Sequence, residues 1–244
     1  MKTSCKFFLA ALGLNISLAV QAATYPGNGN SGFGGPIGVG NLTLTDNGTT
    51  VSGTVNKGPN GFNDVLVIYL DSQAGGFSDT SGFADGADGL RKAISGFDGG
   101  TQRSLLTFAT GFSPDYAIAL GPASDNFGGM WQLANGGANS LNFVTSVNLS
   151  PTGNNNSSTY TFSFDVSQIG IAPNSGQAFS LFGTYISNTG YRSDEADAGN
   201  DSGTQGYNPF LQTAFSTYTI VPEPATVLLA GLGIAALLVS RRRR

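Results

Sequence analysis

The segment Asp64–Asp71, DVLVIYLD, most constrains what this chain can fold into. An unbroken apolar run of this length, bounded by aspartates, reads as a central strand buried on both faces. Around it lie runs that alternate instead. Asn41–Asp46 places Leu42 and Leu44 on one face, and Thr50–Asn56 does the same with Val51 and Val55. Further strands are expected at Arg103–Ala109, Asp115–Leu120, Met130–Leu133, Ala178–Ile186 and Phe215–Ile220. Leu141–Leu149 and Thr159–Val166 flank the polar tract Ser150–Ser158, a pattern expected for a hairpin with a floppy tip. Between residues 23 and 221 there are 14 acids, of which 13 are Asp, and Gly, Ser, Thr and Asn dominate. Such residues favour turns over helices. The expected fold is all-β: a two-sheet antiparallel sandwich, jelly-roll-like, with long Gly/Asp-rich loops. The loops are Ser72–Gly100, with one helical turn near Leu90–Ile94, and Asn188–Pro209.

The two ends of the chain carry signals of another kind. Lys2 and Lys6 precede a mostly apolar stretch, Phe7–Val20, and Val20 and Ala22 are small residues at the right spacing for signal peptidase. A secretory signal peptide over residues 1–22 is expected, cut after Ala22. Cys5 lies before the apolar stretch, the wrong place for lipidation, so the mature chain keeps no cysteine and no disulfide. Its fold must be held by its core or by bound metal. Residues 23–40 read as a loose Gly/Pro-rich leader, and residues 41–221 as one domain. At the C-terminus, Pro222-Glu223-Pro224 is followed by an uncharged run, Ala225–Val239, then Arg241, Arg242, Arg243 and Arg244. A hydrophobic helix is expected after the prolines. At about 15 residues it reaches roughly 23 Å, short for a hydrocarbon core of about 30 Å. This order of elements over residues 222–244 closely resembles the PEP-CTERM sorting signal of Gram-negative bacteria. The resemblance implies export through the inner membrane by the secretion machinery, transient anchoring, recognition and cleavage by a membrane-embedded exosortase, and a final place at the cell surface or in the extracellular matrix. Proteins of this kind tend to accompany exopolysaccharide and biofilm.

Charge narrows the ligands. Residues 23–221 hold 14 acids against 5 bases, a net charge of −9. That argues against nucleic acid, which needs a basic surface, and suits divalent cations or neutral sugars. Catalytic chemistry is thin. The chain has no histidine, which removes Ser-His-Asp, Cys-His and His-ligated zinc sites. It has no phosphate-loop motif. A glycosidase-type carboxylate pair is the one catalytic option left, and the chain is read as a non-enzyme.

The core carries a second resemblance. DVLVIYLDSQAGG at Asp64–Gly76, SPDYAIAL at Ser113–Leu120, GGMWQL at Gly128–Leu133 and TYTFSFDVSQIGI at Thr159–Ile171 come in an order similar to family-nine carbohydrate-binding modules and DOMON-like sandwiches. The resemblance implies a sandwich with a sugar site. It departs from the pattern in having a single tryptophan, Trp131, where sugar-binding members often present two. Trp131 is the first candidate sugar platform, with Tyr116 and Tyr69 behind it. The competing reading makes all three core residues, and takes the 17 phenylalanines as core or linker. The two acidic loops offer oxygen ligands for structural Ca²⁺: Asp71, Asp79, Asp85 and Asp88 in the first, and Asp194, Glu195, Asp197 and Asp201 in the second. The competing reading is a pair of solvated acidic loops. Three functions follow: a secreted, non-catalytic, carbohydrate-binding-like matrix protein; a purely structural matrix protein; and a carboxylate-dependent glycan hydrolase.

Overall fold

The structure, a computed structural model, describes residues 21–123, 127–134 and 140–222. Residues 1–20 of the expected signal peptide and the whole C-terminal hydrophobic segment lie outside the described residues. Among the described residues, no helix is long and apolar enough to cross a membrane.

The chain opens with β1 (Gln21–Pro26), β2 (Asn41–Asp46), β3 (Thr50–Asn56) and β4 (Val65–Asp71). A long excursion follows, holding α1 (Gly89–Ser95) and β5 (Leu106–Thr107). Then come β6 (Tyr116–Gly121), β7 (Phe127–Gln132), β8 (Asn142–Ser146) and β9 (Thr159–Asp165). The last strands are β10 (Ala178–Ile186), β11 (Arg192–Asp197), β12 (Gly199–Ser202) and β13 (Phe210–Thr219). They form two sheets packed as a sandwich. The small sheet has the order β1-β2-β3-β9; the large one runs β12-β13-β10-β4-β6-β7-β8, with β11 on β10 and β5 on β13. The pairs are antiparallel apart from β5 with β13.

The side-chain pattern explains which sheet is which. β2, β3 and β9 alternate, so Leu42, Leu44, Val51, Val55, Tyr160, Phe162 and Phe164 point into the sandwich and the intervening residues face out. β4 does not alternate, and both its faces are covered. Leu66, Ile68 and Leu70 join the core between the sheets, while Val65, Val67 and Tyr69 face a second core on the far side. That second core is roofed by α1 and the excursion, through Phe83, Leu90, Ile94, Phe108 and Phe112. The fold is thus a sandwich with a third, mostly irregular layer. Each fully buried Val, Leu or Ile contributes about 1.5–3 kcal/mol, and β4, with β6 and β10 beside it, anchors both cores.

Three expectations are corrected. Residues 23–40 are not a loose leader: β1 pairs with β2 along its whole length, and the following turns are fastened to β11. Asn188–Pro209 is not a loop but contains β11 and β12. The Asp-rich sequence hid them, because their polar side chains are buried rather than alternating with solvent. The strands around Ser150–Ser158 do not form a hairpin. β8 pairs with β7 in the large sheet, and β9 with β3 in the small one. In the small sheet Tyr160, Phe162 and Phe164 face the inter-sheet core, and the alternating residues Thr159, Thr161 and Ser163 face out.

Candidate functional site

An apolar concavity lies between the first turn of α1 and the β7–β8 pair. Asp88 caps α1, its carboxylate accepting the Arg91 amide at 2.9 Å, and Gly96 ends the helix in the left-handed region. This fixes the Arg91 guanidinium between two carboxylates. Its Nε lies 3.4 Å from the buried Asp85, and its Nη1 pairs with Asp88. The guanidinium sits 5.5 Å from the Trp131 ring centre, a cation–π contact. Trp131 is only 2 % exposed. Its ring lies back over Gly129 on β7, where a Cβ would come within 2.6 Å of the indole. Phe143 on β8 meets it edge-on at 5.6 Å. Phe143 is 49 % exposed and Phe127 38 %. Together with Asp88 and Leu90 these groups line a groove of about 310 Å³.

Trp131 is therefore the floor of the groove and not a free platform; its indole N–H is buried and finds no acceptor among the described residues. The exposed ring faces belong to Phe127 and Phe143. The expectation that every phenylalanine is core or linker is corrected at these two positions. Part of the signal was present: Phe127 sits between Asn126 and Gly128, and Phe143 follows Asn142 on a short edge strand.

Tyr69 and Tyr116 lie elsewhere. Tyr69 is fully buried in the second core, donating to the Ile94 carbonyl. Burial pushes its hydroxyl pKa up. Tyr116 faces the inter-sheet core at the end of β6, its hydroxyl accepting from Gln73 at 3.2 Å. Beside it is a polar pocket of about 220 Å³ whose lining includes Gln73, Asp115 and Gln132. Asp115 accepts the amides of Ser72 and Gln73, and Asp71 accepts that of Ser113. Desolvation first, then the nearby Asp115, raise the Asp71 pKa.

The carboxylates of the two acidic segments are spread through the fold. Asp79 caps a short helical turn through the Ser81 amide, Asp85 accepts Ala87 and Leu141 and pairs with Arg91, and Asp88 caps α1. Asp194 accepts the Gly32 amide. Glu195, fully buried, accepts four amides: Phe33 at 2.7 Å, Gly35 at 3.1 Å, Ile37 at 3.0 Å and Gly38 at 3.1 Å. Asp197 packs over Gly183, and its pKa is pushed up to about 7 by burial. Asp201 is pushed to about 7 as well, by burial first and against the pull of Arg192. Among the described residues no group of three or more His, Cys, Asp or Glu side chains is placed to hold a metal ion. The eight carboxylates expected for Ca²⁺ act as caps, latches and buried groups; Asp85 and Asp88 meet across Arg91, and among the described residues no three of the eight converge.

The fold and groove define a β-sandwich with a covered large sheet and an aromatic cleft at one end. Residues 221–244 match the PEP-CTERM protein-sorting motif, which supports export and processing by exosortase. The match spans the terminal segment only, so it is an address and leaves the activity of the sandwich open. No curated protein and no solved structure matches the chain, and the likeness of the core to family-nine and DOMON-like modules gains no support from them.

Proposed function

We propose that this chain is a secreted, non-catalytic protein of the cell surface or exopolysaccharide matrix, sorted by its C-terminal motif, whose sandwich holds polysaccharide in the groove between α1 and the β7–β8 pair. The observation that carries the reading is the exposed pair Phe127 and Phe143 over the Trp131 floor. Flat apolar rings suit the C–H face of a sugar, and Asp88 and Arg91 at the rim suit its hydroxyls. Absence of histidine and of a mature cysteine supports binding over catalysis.

The test is affinity electrophoresis of the full chain through gels containing the producing cell's exopolysaccharide. Wild type is expected to be retarded, and the Phe127→Ala/Phe143→Ala variant to bind at least about tenfold more weakly. Both side chains are exposed, so the variant should fold. Equal retardation would remove the groove from the reading. No retardation of wild type would leave a purely structural matrix protein. Export is checked separately by the mass of the extracellular protein, which is expected to lack Arg241–Arg244.

A further inference from the structure

The outer face of the small sheet is a lattice of neutral hydrogen-bonding groups, with one charged side chain, Asp165, at the end of β9, where it accepts from Thr50. Strand register sets it out in rows. Thr24, Thr43, Thr54 and Thr161 stand opposite one another across all four strands. On one side runs the row Thr45, Ser52, Ser163, and on the other Asn41, Asn56, Thr159. All ten positions carry a hydroxyl or amide and none is charged. Ordinary solvent-facing strands mix in Lys and Glu for solubility. These ten uncharged positions belong to a domain of net charge −9 between residues 23 and 221. Adjacent strands stand about 4.8 Å apart, and same-face residues along a strand about 6.7 Å. The groups are partly pre-oriented: Thr24 bonds Thr43 at 2.9 Å, Asn56 donates to Asn41 at 2.9 Å, and Thr159 donates to Asn56 at 3.2 Å.

An independent feature bounds this lattice. After β8 the chain returns beside β9, where Ser150 and Thr161 exchange backbone hydrogen bonds of 2.9 and 2.8 Å. The segment stands as a rim along the sheet edge. It closes a trough of about 420 Å³ lined in part by Ser52, Thr54, Ser163, Asn148 and Ser150. A second trough of about 240 Å³ shares Ser163 and Asn148 and continues it. No cation lines either one and the carboxylate of Asp165 lines the second, so an anionic polymer would find repulsion and no ion-pair partner there.

We infer that this face is a docking surface for an extended, neutral, polyhydroxylated polymer: an uncharged polysaccharide lying in the trough and crossing the threonine rows. The hydroxyl spacing is close to the repeat of a sugar unit in an extended chain. Single hydroxyl contacts are weak, and a repeating ligand sums them along its length. The anionic remainder of the domain disfavours acidic polymers. This site is separate from the aromatic groove and needs only export to meet its ligand.

The experiment is affinity electrophoresis of the full chain in mild detergent, through gels containing hydroxyethylcellulose, galactomannan or alginate. Retardation is expected in at least one of the two neutral gels and not in alginate. Thr54→Val/Thr161→Val removes two hydroxyls while keeping β-branched shape. It is expected to weaken binding at least tenfold with an unchanged melting temperature. Thr54→Ser/Thr161→Ser keeps the hydroxyls and is expected to keep the binding; it serves if the valine variant misfolds. Phe127→Ala/Phe143→Ala is expected to leave this retardation intact, which separates failure of the two sites. Equal retardation of the valine variant, retardation in alginate alone, or none in either neutral gel overturns the inference. So does a concentration-dependent dimer that the valine substitutions abolish, which would assign the face to a second copy.

Discussion

Glu195 is the only glutamate among the 14 acids of residues 23–221, and its extra methylene has a use. From a buried position on β11 it reaches across to the turns between β1 and β2 and accepts four amides there. Hydrogen bonds to a charged group are worth about 1.5–3 kcal/mol each. Phe33, stacked on Tyr191 and edge-on to Tyr185, packs the same turns against the inter-sheet core. Glu195→Gln keeps the shape, replaces one acceptor oxygen with a donor, and turns an amide against an amide. It is expected to cost about 3 kcal/mol. Hydrogen exchange is expected to show Phe33, Gly35, Ile37 and Gly38 losing protection while the strand amides keep theirs. Uniform loss of protection would show that the latch is part of the global core instead. In the sequence this residue is legible only as one acid in an acidic stretch, since its four partners lie more than 150 positions away.

At the scale of the element, β7 shows how a strand can be built around a missing side chain. Phe127, Gly129 and Trp131 share one face, and the indole fills the space that Gly129 leaves. Gly129→Val is expected to push the ring out of the groove floor and to destabilise by about 2 kcal/mol. Trp131 is the chain's one tryptophan, so its emission reports the displacement directly. A red shift is expected; unchanged emission would mean that the ring finds other cover. Strand positions themselves were largely readable. β2, β3 and β10 fall where alternation or apolar runs place them. β11 and β12 were not readable, because buried Arg192, Ser193, Glu195, Asp197 and Asp201 look like solvated residues in one dimension.

At the scale of the whole molecule, buried acids set the response to pH. Asp197 and Asp201 titrate near 7 in the folded chain against an ordinary value of 3.8. The folded state therefore holds more protons than the unfolded one between those values. Stability is expected to fall as pH rises from 3.8 to about 7, and to level off above that. One pKa unit corresponds to about 1.4 kcal/mol, so each group's share is on the order of 4 kcal/mol at most. Arg192 faces Asp201 and reduces its share; Asp197, over Gly183, has no such cation. Asp197→Asn is expected to raise the melting temperature at pH 8 by several degrees and to flatten the slope. A variant less stable than wild type at pH 8 would mean that the carboxylate is partnered when ionised.

Local pattern alone determined the sandwich, the doubly covered central strand and the terminal sorting segment. Each is written in neighbours a few positions apart: the unbroken run at Val65–Leu70, the alternation at Asn41–Asp46, the order Pro-Glu-Pro, apolar run, arginines. Only the tertiary structure decided which sheet took each strand, that residues 23–40 are fastened rather than loose, and that Phe127 and Phe143 stand exposed over a buried Trp131. The same holds for the threonine lattice, whose rows exist because four separate strands pair in one register. The physical reason is distance. Period and turn chemistry act over a few residues, whereas a latch, a groove or a row of hydroxyls is made by groups far apart in the chain, brought together by the burial of the cores between them.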